Sequence, residues 1–125
     1  MLRSQYARWA ALLLCIPIML GCQKANLPAD SDLAQQSIEK MLKTWQSGGT
    51  AADLKLAQPS IIAVDDDWER KGELLAYEIQ PQPFNDGVNM HFTVKLTLKS
   101  KQGREVKKEM VYIVGTHPVI TIFRK

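Results

Sequence analysis

The side chains in this 125-residue chain that are suited to chemistry are few, and they are scattered. Asp65, Asp66 and Asp67 stand side by side, and carboxylate oxygens are the hard ligands that calcium takes outside the cytoplasm. The triplet lacks the spaced Asp-x-Asp-x-Asp-Gly arrangement of a calcium-wrapping loop, so it reads as a solvated acidic turn and no metal site is expected. His91 and His117 are the two histidines, and an imidazole titrates near physiological pH, where it can act as base or ligand. Neither has company: His91 falls on the outward side of a strand with Asn89 and Thr93 as face neighbours, and His117 precedes Pro118 in a turn. No serine occupies a nucleophile elbow. No catalytic residue and no cofactor is assigned, and the chain is expected not to be an enzyme.

The elements that must carry these residues follow from hydrophobic periodicity. Ala34, Ile38, Met41, Leu42 and Trp45 recur at i, i+4, i+7, i+8 and i+11, behind capping residues Asp30 or Ser31 and ahead of Gly48-Gly49, which predicts an amphipathic helix over 31–47. Residues 51–58 suit a short helical turn ended by Pro59. Beyond that the period changes to two. Residues 61–64 form a short apolar run, and residues 65–72 a polar turn around Trp68. Leu75, Tyr77 and Ile79 alternate in one strand, and Val88, Met90, Phe92, Val94, Leu96 and Leu98 in the next. Breaks at 81–87, at Lys101-Gln102-Gly103 and at Gly115-Thr116-His117-Pro118 then set off strands over 104–115 and 119–123. The expected fold class is α+β: one N-terminal helix packed on an antiparallel sheet of about four strands, as in cystatin-like and NTF2-like domains. The chain divides into residues 1–21, a tether over 22–30 and a single domain over 31–125.

The first 21 residues read as an address. Arg3 and Arg8 precede an uncharged apolar stretch over 9–20, which is too short to span a hydrocarbon core of about 30 Å and is interrupted by Pro17. Met19-Leu20-Gly21-Cys22 at its end resembles the bacterial lipobox, although the commonest pattern has Leu where Met19 stands and Ala or Ser where Leu20 stands. The resemblance implies cleavage between Gly21 and Cys22 and a thioether-linked diacylglycerol on Cys22. The membrane is then a partner through that anchor, on the oxidising side of the cell envelope. Gln23 stands where an aspartate commonly signals inner-membrane retention, so the resemblance favours the outer membrane, on its periplasmic or surface side. After cleavage Cys15 is gone and Cys22 has no disulfide partner, so the domain relies on its core.

Removing Arg3 and Arg8 leaves 14 basic against 13 acidic side chains, interleaved along the chain. A nucleic-acid binder concentrates a basic excess on one face, so nucleic acid is not an expected partner.

Asp67-Trp68, Gly72, Leu75, Tyr77-Glu78-Ile79, Val111-Tyr112-Ile113-Val114, Pro118 and Arg124 together resemble a group of small planctomycete-type bacterial lipoproteins over residues 31–125. The resemblance implies an NTF2-like or cystatin-like domain and carries no catalytic residue across. Cystatins proper insert a Gln-x-Val-x-Gly loop into cysteine proteases, and Gln58-Pro59-Ser60-Ile61-Ile62 does not match it, so protease inhibition is not expected.

Two features point to contacts. Trp68, an aromatic among charges, is either a partner anchor or a lid on the core. The strand 104–115 is apolar on both faces, with Val111 and Ile113 opposite Tyr112 and Val114, and Ile120 and Ile122 pose the same problem. Such a second face needs cover, from a protein partner or a second copy of the chain, or else it lines a small apolar pocket. The favoured reading is a membrane-anchored envelope lipoprotein with a non-enzymatic interaction or structural domain. The alternative is an NTF2-like ligand-binding or enzymatic module with a pocket between helix and sheet. That pocket requires inward polar groups, which the inward pattern Val88, Met90, Phe92, Val94 and Leu96 does not supply.

Overall fold

The computed structural model describes residues 27–125, so the expected leader, the Gly21/Cys22 cleavage point, the lipid attachment at Cys22 and the first part of the tether lie outside the described residues. Helix α1, Ser31–Gln46, begins where the Asp30 carboxylate accepts a hydrogen bond from the Leu33 amide at 3.0 Å. It ends where Ser47 caps it and Gly48 turns the chain at φ +82°. The predicted stripe of Ala34, Ile38, Met41, Leu42 and Trp45 is buried. Ser37 is buried among them, its hydroxyl satisfied by the Leu33 carbonyl at 2.6 Å. Each large apolar side chain removed from water along this stripe contributes about 2 kcal/mol.

Helix α2, Ala51–Leu56, opens with a reciprocal cap in which Thr50 and Asp53 each accept from the other's backbone amide. Strand β1, Ile61–Val64, leads into a single helical turn α3, Asp66–Glu69. The strands β2, Glu73–Ile79; β3, Phe84–Asn85; β4, Met90–Lys99; β5, Glu105–Gly115; and β6, Ile120–Arg124 follow. The fold is therefore α+β as expected, but with three helical segments and a sheet of six strands in the order β1-β6-β5-β4-β2, with β3 also on β4. The expected sheet of about four antiparallel strands lacked β1, which pairs with β6 in parallel, Ile61 against Ile120 and Val64 against Phe123.

Helix α1 covers one face of the sheet. Phe92, Val94 and Leu96 of β4, Tyr112 and Val114 of β5, Ile122 of β6 and Leu74 of β2 meet it there, all nearly inaccessible to water. Two strand assignments need correction. A register shift between Leu74 and Ala76 turns Leu74 into the core and leaves Leu75 37% exposed, so Leu75 does not share the inward face with Tyr77 and Ile79. Val88 precedes β4 and is 46% exposed rather than inward.

Candidate functional site: the open face of the sheet

Two constellations emerge, one sealed and one open. The sealed one gathers around Asp65, whose side chain is fully buried at the end of β1. Its carboxylate accepts hydrogen bonds from the Asp67 and Trp68 amides at 2.8 and 3.1 Å and so caps α3. It also accepts from Tyr112 Oη at 2.5 Å and from Arg124 Nη1 at 3.4 Å. Asp67 completes the arrangement, 2.8 Å from Arg124 Nη2 and 2.9 Å from Lys108 Nζ. Two carboxylates thus meet two cations. Partial burial opposes ionisation of Asp67, but the hydrogen bonds from Lys108 and Arg124 outweigh it and hold the carboxyl below its ordinary range. At Arg124 burial works against the charge, and the flanking Asp65 and Asp67 overcome it and raise its proton affinity. At Tyr112 burial, reinforced by the Asp65 charge, pushes the phenol well above its usual value.

The acidic triplet is thus not the solvated turn expected from sequence: only Asp66 faces water fully, while Asp65 and Asp67 are tied into the fold. Among the described residues no buried side-chain nitrogen or oxygen lacks a partner. Ser37, Asp65 and Thr116 are the buried polar residues described, and each bonds within the fold, Thr116 Oγ1 accepting from the Asp30 amide at 2.9 Å. The interior between α1 and the sheet is lined with apolar side chains.

Trp68 belongs to this sealed region. It is 9% exposed, stacks on Trp45 with ring centroids 5.7 Å apart and an interplanar angle of 17°, and donates its indole N–H to the Gly49 carbonyl at 3.0 Å. Trp45 in turn donates to the Gly72 carbonyl at 2.8 Å. Of the two roles weighed for Trp68, the structure assigns it to packing, because α3 folds its ring under the end of α1. It is therefore removed from the set of expected partner contacts.

Ile120 and Ile122 leave that set too. Their exposures are 4% and 0%, because the register of β1 on β6 aligns them with Ile61 and Ala63 on the core side of the sheet. Val111 and Ile113 do lie on the opposite, open face, both half-buried.

The open face has a definite pattern. Directly paired positions run across five strands as Val64, Phe123, Ile113, His91 and Phe84. Cross-strand pairs of this kind place side chains in contact on one face. Phe123 is 43% and Phe84 63% exposed, and the Phe84 ring lies against His91 with centroids 5.5 Å apart. Val111 pairs with Thr93, and Ile62 with Thr121, on the same face. Further along the strands the face turns charged: Glu78, Lys95 and Glu109 form one directly paired row, and Ala76, Thr97 and Lys107 the next. A shallow concavity of about 470 Å³ lies over this charged half.

No family model, no curated protein and no solved structure matches this chain.

His91 sits within that row, between Ile113 and Phe84, its Nε2 2.7 Å from Asp86 Oδ2. His117 is exposed in the β5–β6 turn, remote in sequence register from the His91 pair. Among the described residues no three His, Cys, Asp or Glu side chains are arranged to hold a metal ion, and no helix is long and apolar enough to cross a membrane.

The sequence reading missed Ile62, Val64, Phe84 and Phe123 as members of this face. Their signal was present as alternation, Ile62/Val64 in the run 61–64 and Phe123 out of phase with Ile120 and Ile122. The pairing of β1 with β6, some sixty positions apart, brings Ile62 and Val64 beside Phe123, and the pairing of β3 with β4 adds Phe84.

Proposed function

We propose that this chain is an exported envelope lipoprotein, held to the membrane through acylated Cys22, whose domain is a non-enzymatic contact module using the open face of its sheet. The observation that carries the contact role is the row Val64, Phe123, Ile113, His91 and Phe84, apolar except for His91, with the mixed-charge row Glu78, Lys95 and Glu109 further along the strands. An apolar strip with a charged margin is the layout of a protein interface, in which a dry centre supplies affinity and a polar rim supplies orientation. The partner is a protein or a second copy of the chain. Asp65, Asp67, Lys108, Tyr112 and Arg124 satisfy one another within the fold, which fits a structural role for that cluster. An NTF2-like or cystatin-like assignment for the domain finds support in α1 lying across a largely antiparallel sheet.

Intact mass and detergent partitioning of the native protein beside a Cys22→Ser variant test the anchor. Loss of residues 1–21, an acyl mass on Cys22 and membrane partitioning of the wild type alone are expected. Equal behaviour of the two proteins would discard the anchor. For the contact role, Phe123→Glu introduces a charge into the apolar row while leaving the core untouched. Sedimentation velocity should show the variant losing an association that the wild type makes, with its unfolding midpoint unchanged.

A further inference from the structure

The geometry points to a second contact surface, which meets the open face at Phe84: the end of the domain where the tether arrives is an apolar tip that seats in a phospholipid surface. This inference rests on the Cys22 anchor proposed above.

The five most exposed large apolar side chains described are Leu56 at 83%, Phe84 at 63%, Leu27 at 56%, Val119 at 50% and Val88 at 46%. They come from separate segments of the chain, yet all belong to one end of the sheet. Ala29 donates its amide to the Val88 carbonyl at 2.9 Å, which fixes Leu27 beside the β3–β4 hairpin. Asp30 donates to Thr116 Oγ1 in the β5–β6 turn that carries Val119. Val119 adjoins Ile120, which pairs with Ile61 at the start of β1. Ser60, just before β1, donates its hydroxyl to the Lys55 carbonyl at 2.6 Å and so draws the end of α2, with Leu56, to the same place. From β1 through β6, β5 and β4 to β3 there are four strand spacings, so the tip is about 20 Å wide.

Isolated surface leucines and phenylalanines need no explanation, but their concentration at one end does. The chain itself supplies the occupant. Cys22 precedes Leu27 by five residues, and five extended residues reach at most about 18 Å. An acylated Cys22 therefore holds this end, and no other, within headgroup distance of the bilayer. The diacylglycerol on Cys22 supplies two acyl chains, enough for stable attachment, and apolar side chains inserted into the interface add to it and orient the domain. Asp30, Asp32 and Asp86 around the tip, against Lys55, provide no basic patch for anionic headgroups. Two of these carboxylates are engaged by backbone amides, Asp30 with Leu33 and Asp86 with Val88 and Asn89. Amide hydrogen bonds favour the charged form of a carboxylate, so the attraction is apolar and anionic lipid does not strengthen it.

The test uses the full, processed protein reconstituted in phosphatidylcholine vesicles, with and without phosphatidylglycerol. An environment-sensitive fluorophore is placed singly at Leu56→Cys, Phe84→Cys or Val119→Cys, with Val106→Cys at the opposite end as control. Lipid-borne quencher should quench the three tip labels several-fold more strongly than the control, with no gain from phosphatidylglycerol. If acyl mass and vesicle flotation are intact but the tip labels are quenched only by aqueous iodide, as the control is, the tip is not lipid-seated and this inference falls while the anchor stands. If Cys22 carries no acyl group, both fall. Tip labels shielded from both quenchers and cross-linking in pairs would put a second copy there and overturn the lipid assignment.

Discussion

Tyr112 donates its phenol proton to Asp65 at 2.5 Å across 47 residues of sequence, joining the middle of the sheet to the end of its edge strand. The contact explains how a carboxylate with no exposed side-chain surface is tolerated in the interior. Four donors converge on Asp65, from two backbone amides, a phenol and a guanidinium, so its charge is distributed over hydrogen bonds rather than left uncompensated.

Replacing Asp65 with Leu removes the acceptor and leaves Arg124 and Tyr112 partly orphaned in the interior, which costs about 3–5 kcal/mol. Tyr112→Phe removes one hydrogen bond and costs about 1 kcal/mol. The double variant should lose less than the sum, because the two side chains share one interaction. Urea unfolding of the four proteins measures this, and strict additivity would show that the Asp65–Tyr112 bond contributes nothing of its own.

The Asp86 carboxyl sits at about 2, lowered first by the Asn89 amide and then by His91 and the Val88 amide. A depressed carboxyl contributes stability that is complete above its unfolded value of 3.8 and disappears as pH falls through about 2. Asp67, also lowered, acts in the same direction. Asp86→Asn keeps an oxygen for the amides but loses the charge. Its melting temperature should fall below that of the wild type at neutral pH, and the gap should close between pH 4 and pH 2. A gap that persists unchanged in strong acid would assign the effect to shape rather than charge.

The stacked Trp45 and Trp68 seal the end of the core beneath α3. Trp68→Ala opens a cavity and frees the Gly49 carbonyl, with an expected loss of about 3–5 kcal/mol. Thermal denaturation measures it, and a loss comparable to that of an ordinary surface substitution would return Trp68 to the role of an exposed anchor.

Local chemistry alone determined α1, from its cap at Asp30 and its buried stripe to its stop at Gly48. It also determined the alternation of β4 and the breaks at the β4–β5 and β5–β6 turns. These depend on residues within a few positions of one another, where periodicity and turn chemistry act directly. The tertiary structure decided which apolar residues face water. Ile120 and Ile122 became core and Phe123 surface only because β6 pairs with β1 in one register, and a shift of a single residue would exchange them. It likewise decided the fate of the acidic triplet. An aspartate in a turn has the same local sequence whether it is solvated or buried, and Arg124, Tyr112 and Lys108, which settle the matter for Asp65 and Asp67, arrive from strands at least 40 residues away. Long-range pairing, which no local pattern encodes, therefore fixed both the sealed ionic cluster and the open face.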